Sequence, residues 1–309
     1  AHPRYPTQCG ANRPPHLAAP RYRPGTVGGR CPTPTERLRK SRRGDRPLAA
    51  HSASELTNET TTKKGTMSTM TSPLDDLGEQ KPREECGVFA VWAPEEDVAK
   101  LTFYGLFALQ HRGQEAAGIA VGDGHQTIVF KDLGLVNQVF DEQTLQAMRG
   151  NVAIGHTRYS TTGATTWENA QPMFRSIGED TGVALAHNGN LVNTTALKRR
   201  AVQLGIMPEN ELAGCASDTD VVASLLAHTA VNGGLEEAAL HLLPKVEGAF
   251  CFVMCDTDTI YAARDPYGVR PLSLGRLDRG WVVASETCAL DIVGASYVRD
   301  IEPGEFVTI

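Results

Sequence analysis

Residues 86–93 read CGVFAVWA, a nearly unbroken apolar run of eight residues that opens on a cysteine. Its length and its valine, phenylalanine and tryptophan content suit a strand buried on both faces better than a helix. Immediately before it stands KPREE, residues 81–85, polar and charged, so an exposed junction is expected to lead into a core strand. The residues downstream must then supply partner strands and covering layers.

They carry the patterns to do so. VAKLTFYGLFALQHRG (98–113) has apolar positions at helical spacing. GIAVG, TIVFKD and NVAIGHTRYS read as strands, with GDGHQ as a hairpin turn and EQTLQAMRG as a short helix. VALAHNGNLVN (183–193) reads as strand, tight turn and helix entry, because Asn-Gly is the strongest short turn signal. Three helices follow in TALKRRAVQLG, TDVVASLLAHTA and LEEAALHLLPKV; then AFCFVMCD, TIYAARD, PLSLG and GWVVAS return to strand, with a short helix at CALDIV. Strands outnumber helices and come in hairpin-like runs. That predicts a layered α+β domain with largely antiparallel sheets, not a doubly wound parallel fold.

The N-terminal part is another kind of sequence. Residues 1–66 hold 13 Lys/Arg against 4 Asp/Glu and 9 of the 18 prolines, without apolar periodicity, which predicts a disordered basic tail. A nucleic-acid-binding tail, an organellar transit segment and translated sequence upstream of a start at Met67 or Met70 all fit it. Residues 67–309 hold 17 Lys/Arg against 32 Asp/Glu. No apolar run approaches the ~20 residues of a membrane span, and no secretory h-region appears, so a cytoplasmic location without membrane or nucleic-acid partners is the default. Seven cysteines, with no C-x-x-C pair, form neither a disulfide framework nor a metal-ligand pattern. Cys251 and Cys255 share one strand face by alternation and read as core.

Four places carry chemistry. A thiol attacks as thiolate and titrates near ~8.5, so Cys86 needs a base. A nearby histidine is one solution; the other is the residue's own α-amine, with a pKa of ~7.7–8.0, if the chain is cut before it. A structural cysteine is the bland alternative. Arg158, at the end of a strand, has the fork that grips a carboxylate; the polar loop beyond it, running to about Pro172, has the length to close over a ligand. Asn188 and Gly189 make either a plain turn or a side-chain and backbone N–H pair for an oxyanion. Ser217 and Asp220 fit a helix-capping pattern, and Asp218 between them either belongs to that cap or receives an ammonium group.

Together CGVFAVW, LQHRGQEAAGI, GHTRYSTTG, AHNGNLVN, ASDTD, RDPYGVRPL, SETCALDIVGA and IEPGE resemble the glutaminase domain of the amidophosphoribosyltransferase family, over nearly all of residues 86–309. The resemblance implies the N-terminal-nucleophile hydrolase fold, a four-layer αββα sandwich with antiparallel sheets. It implies a propeptide, residues 67–85, whose removal makes Cys86 both nucleophile and, through its α-amine, general base. Arg158 would bind the α-carboxylate of glutamine and Asp218 its α-ammonium. Asn188 and Gly189 would form the oxyanion hole, Tyr159 would begin the closing loop, and Arg112 would support Cys86. Ammonia released from glutamine would go to phosphoribosyl pyrophosphate, in the first committed step of purine synthesis. The family's phosphoribosyltransferase domain, expected after Ile309, is absent from these residues. Mg2+, and in some members a [4Fe–4S] cluster, belong to that part; a homo-oligomer is expected of the full-length protein, and no cofactor is assigned here. A free-standing glutaminase serving another acceptor and an unprocessed regulatory module are the alternatives.

Overall fold

The computed structural model describes residues 85–159, 166–178, 181–212 and 216–309. The basic tail, all of the expected propeptide except Glu85, the first part of the loop after Tyr159, and Cys215 lie outside them.

Among the described residues, twelve strands form two antiparallel sheets. The first is built on β1 (Gly87–Trp92), which pairs on one side with β4 (Val152–Arg158) and on the other with β10 (Gly280–Ala284). Outward from β4 lie β2 (Ala116–Gly122) and β3 (Thr127–Leu133); outward from β10 lie β9 (Ser273–Leu277) and β11 (Ser296–Asp300). The second sheet runs β12 (Phe306–Thr308), β8 (Ile260–Arg264), β7 (Gly248–Cys255), β6 (Thr181–Leu191), β5 (Met173–Ile177).

The period of two along the central strands sorts their side chains into three cores. Phe89 and Val91 of β1 pack under α1 (Val98–Ala108) and α7 (Thr287–Ile292), with α2 (Val136–Val139) and α3 (Glu142–Ala147) at the margin. Val88 and Ala90 face the other way, meeting Ile154, Ala184, Ala186, Cys251 and Val253 between the sheets. On β7, Phe250, Phe252 and Met254 pack under α4 (Thr194–Gln203), α5 (Asp218–Ala230) and α6 (Gly234–Leu242). The order is helices, sheet, sheet, helices: the four-layer sandwich. Cys251 and Cys255 are fully buried between the sheets, and burial pushes the Cys251 thiol up to about 12.

Two elements differ from the sequence reading. Helix α1 ends at Ala108 rather than near Gly113. Residues 110–113 turn back because Gln110 bonds both the Gly113 carbonyl and the Val136 N–H. Gly113 then lies flat on β4, where a Cβ would stand 2.6–2.7 Å from the backbone of Thr157 and Arg158. Asn188-Gly189, expected to turn, instead continues β6: Asn188 pairs with Cys251, Gly189 with Phe250 and Asn190 with Ala249. Gly189 has φ +149°, and a Cβ there would sit 2.1 Å from the Ala249 carbonyl oxygen. Glycine serves a close strand contact here, not a turn. Strands β5, β11 and β12 and the single turn of α2 were not anticipated.

Candidate active site

The same alternation aims the functional side chains. Cys86 continues the Val88–Ala90 face of β1, Arg158 the Val152–Ile154 face of β4, and Asn188 the Ala184–Ala186 face of β6. All three therefore point into the space between the sheets. Antiparallel pairing of Gly87 with Thr157 brings the start of β1 to the end of β4. Across the gap, His156 Nε2 lies 3.1 Å from the His187 carbonyl oxygen, which aligns the end of β4 with the Asn188 end of β6.

The Cys86 sulfur is 3.5 Å from both the backbone N–H and the carbonyl of Tyr159. Burial pushes its thiol up; the Tyr159 N–H, Arg158 and Arg112 pull the other way without reversing the shift. The thiol is thus protonated at neutral pH in this form of the chain, and its activation needs a base. Arg112 donates from Nε to the Cys86 carbonyl at 3.1 Å and ion-pairs with Glu286.

Arg158 is buried and donates to the Asn169 carbonyl at 3.0 Å, leaving its Nε without a partner. Asn188 Nδ2 is also buried without a partner. Phe250 gives both its backbone groups to Asp265. Gly189, opposite it, therefore turns its own N–H to the other edge of β6, where Gln171 Oε1 accepts from His187 N at 2.7 Å.

Ser217 caps α5, accepting from Asp220 N at 3.2 Å, so the capping pattern is real. Asp218 is then the first helical residue, and its carboxylate accepts from Leu191 N at 3.3 Å and Thr219 N at 2.7 Å. Burial alone would raise its pKa, but His187, with Nδ1 3.6 Å away, and these N–H donors bring it down to about 2. It is anionic throughout the neutral range. A helix N-terminus favours that charge as well.

Of the junction expected to be exposed, residues 81–84 lie outside the described residues, and only Glu85 is placed. Glu85, which was grouped with the propeptide, is ion-paired to Arg112 and Arg270, and only a third of its side chain is exposed. The sequence reading also missed His156, His187, Gln171 and Thr219, which hold Asn188 and Asp218 in place. GHT and AHN gave no signal of it, since a lone histidine in a strand is more often a satisfied core residue.

Among the described residues, the buried side-chain polar atoms without a partner belong to His156, Thr157, Arg158, His187, Asn188 and Arg270. Such atoms are few in native proteins. They lie at the end of β4, on β6 and on the loop before β9, and those of Arg158 and Asn188 are on the strand faces that Cys86 shares, as expected of a site for a polar ligand. No three His, Cys, Asp or Glu side chains meet as a metal site among the described residues, and no helix there is long and apolar enough to cross a membrane.

A family model described as glutamine amidotransferase domain matches residues 156–291, which include Arg158, Asn188, Gly189 and Asp218. An amidophosphoribosyltransferase of Mycobacterium tuberculosis is 67% identical over 245 residues, covering 79% of this chain and 46% of the relative. Residues 156–291 carry a glutamine amidotransferase domain, and the chain is similar to amidophosphoribosyltransferases. The Mycobacterium leprae amidophosphoribosyltransferase is 70% identical over 228 residues, covering 74% of this chain and 41% of its own length. A solved glutamine phosphoribosylpyrophosphate amidotransferase from B. subtilis, complexed with ADP and GMP, superposes with a TM-score of 0.65 at 42% identity, covering 72% of this chain and 47% of that one. The likeness confirms the N-terminal-nucleophile hydrolase architecture. The chain spans about half the length of the curated amidophosphoribosyltransferases it matches.

Proposed function

We propose that this domain hydrolyses glutamine to glutamate and ammonia, and that the ammonia serves the formation of phosphoribosylamine from phosphoribosyl pyrophosphate, the first committed step of purine synthesis. Arg158 takes the α-carboxylate of glutamine through its unpaired edge, and Asp218 takes the α-ammonium. Cys86, freed as the N-terminal residue, attacks the side-chain amide. Its α-amine removes the thiol proton and returns it to the departing ammonia. The oxyanion sits between Asn188 Nδ2 and the Gly189 N–H, and water then hydrolyses the γ-glutamyl thioester. Tyr159 opens the loop that closes over the substrate, and Arg112 holds the backbone of Cys86.

The observation that carries this reading is Asn188 Nδ2, a buried amide donor without an acceptor on the strand face that meets Cys86. An unsatisfied buried donor costs ~1–3 kcal/mol, and a negatively charged oxygen formed during reaction recovers that cost when it is most needed. Phosphoribosyl pyrophosphate, Mg2+ and a [4Fe–4S] cluster where one exists belong in this reading to residues other than these, and the full-length protein assembles as a homo-oligomer. The described cysteines are free, in keeping with a reducing, cytoplasmic setting. The test is glutamate release from glutamine by the purified chain, against Cys86→Ala. Equal release by both would remove Cys86 from the chemistry.

A further inference from the structure

Glu85 precedes the nucleophile, and two arginines from distant parts of the chain hold its carboxylate. Arg112, from the turn after α1, reaches one oxygen at 3.1 Å, and Arg270, from the loop before β9, ion-pairs with the other. Arg112 simultaneously donates through Nε to the Cys86 carbonyl at 3.1 Å. One guanidinium thus touches both residues of the Glu85–Cys86 peptide bond.

Arg270 is built in place for this contact. Its carbonyl accepts from Arg264 Nε at 2.7 Å and from the Cys251 thiol at 3.4 Å. Buried Asp265 shapes the loop that carries it, accepting from Tyr267 N at 2.9 Å and from Val269 N at 3.2 Å. The Arg270 Nε is buried without a partner. Arg112 has Glu286 as a second anion, whereas Glu85 is the anion recorded for Arg270.

We propose that Arg112 and Arg270 form a carboxylate clamp that reads residue 85 and holds the Glu85–Cys86 bond in position for its own cleavage. This rests on the reading that Cys86 works as a free N-terminus. From Gly87 onward β1 is hydrogen-bonded within a sheet and paired on both sides from Phe89, so an external protease has no extended segment after the bond to grip. The Cys86 thiol needs none. Its sulfur attacks the Glu85 carbonyl carbon, the C–N bond breaks, and the thiol proton ends on the released amine. Water then hydrolyses the thioester, leaving Glu85 as a carboxylate and restoring the thiol. The sum is one peptide bond and one water, with no oxidant or cofactor. The clamp fixes the acyl side against the thiol, and such fixation sets the rate of an intramolecular attack. After cleavage Glu85 departs, and Arg270 loses the carboxylate it held.

The test follows the full chain by intact mass at timed intervals after a block of synthesis. Glu85→Gln keeps the shape but removes the charge-assisted bonds, and should lengthen the half-time for appearance of the Cys86 N-terminus by about tenfold or more. Arg270→Ala should slow it in the same direction, Glu85→Asp should fall between, and the double variant Glu85→Gln/Arg270→Ala should be no slower than Glu85→Gln alone, since that change already removes the contact with Arg270. Thermal midpoints near wild type keep the effect from being one of folding. The mature product of Glu85→Gln is identical in sequence to the wild type, so its turnover per mature molecule should match. Wild-type maturation rates for Glu85→Gln and Arg270→Ala would overturn the clamp. Maturation of Cys86→Ala at the wild-type rate would instead overturn the thiol-dependent cut beneath it.

Discussion

The Nε2 atom of His156 lies 3.1 Å from the backbone carbonyl of His187, and this bond pins one sheet to the other two residues from Arg158 and one from Asn188. Burial, with Arg158 close by, lowers the His156 pKa to about 3, so the imidazole is neutral and Nε2 carries the proton it donates. The spacing between Arg158 and Asn188 therefore depends on a neutral histidine in the core.

That neutrality has a pH signature. The unfolded histidine titrates near ~6.5, well above the folded value, so the unfolded chain binds more protons between the two. Stability from this group is complete above about pH 6.5 and is lost as pH falls toward 3. His156→Gln should be less stable than wild type at pH 7, and the gap in thermal midpoint should narrow by pH 4. A gap that widens in acid would contradict a buried neutral His156.

Asp218 behaves differently across the same range. Its pKa of about 2 lies below the ~3.9 of an unfolded aspartate, so its contribution is complete above about pH 4 and is lost only as pH falls through 2. Protonation of Asp218 should therefore not shape the pH dependence of glutamine binding between pH 5 and 8. Arg158→Ala and Asp218→Ala each remove a charge-assisted contact worth ~1.5–3 kcal/mol, a loss of roughly 10- to 150-fold in kcat/KM for glutamine. Steady-state kinetics with glutamine and with a simple amide would separate this from general damage, because only glutamine should lose.

Asn188→Ala should lower kcat by ~10²–10³ while leaving KM nearly unchanged, since an oxyanion donor acts mainly in the transition state. A raised KM at constant kcat would place Asn188 in ground-state binding instead.

Gly189→Ala tests the close approach of β6 and β7. The added Cβ meets the Ala249 carbonyl oxygen, a backbone atom that cannot rotate away, and the φ of +149° disfavours any side chain. Strain of this kind costs ~1–3 kcal/mol, and the clash adds to it, so thermal unfolding should show a loss of at least about 2 kcal/mol. An unchanged midpoint would mean that the two strands separate freely.

Much of this was legible in the order of residues. The period of two in CGVFAVW and FCFVMC determined which side chains face the helices and which face the other sheet, because a strand's geometry leaves no other choice. The cap at Ser217 and the hairpin at GDGHQ were equally local, set by side chains within three or four positions of the backbone they serve. Asn188-Gly189 was not. Its local preference for a turn was overridden by pairing with a strand some sixty residues on, where a tight contact between backbones selects the same glycine for another reason. Nor did the sequence show Glu85 between Arg112 and Arg270, residues 27 and 185 positions away, or His156 beneath His187. Those pairs exist only once two sheets are stacked in register. Alternation along one strand fixes a side chain's direction, but which charge it meets there depends on how the layers come together.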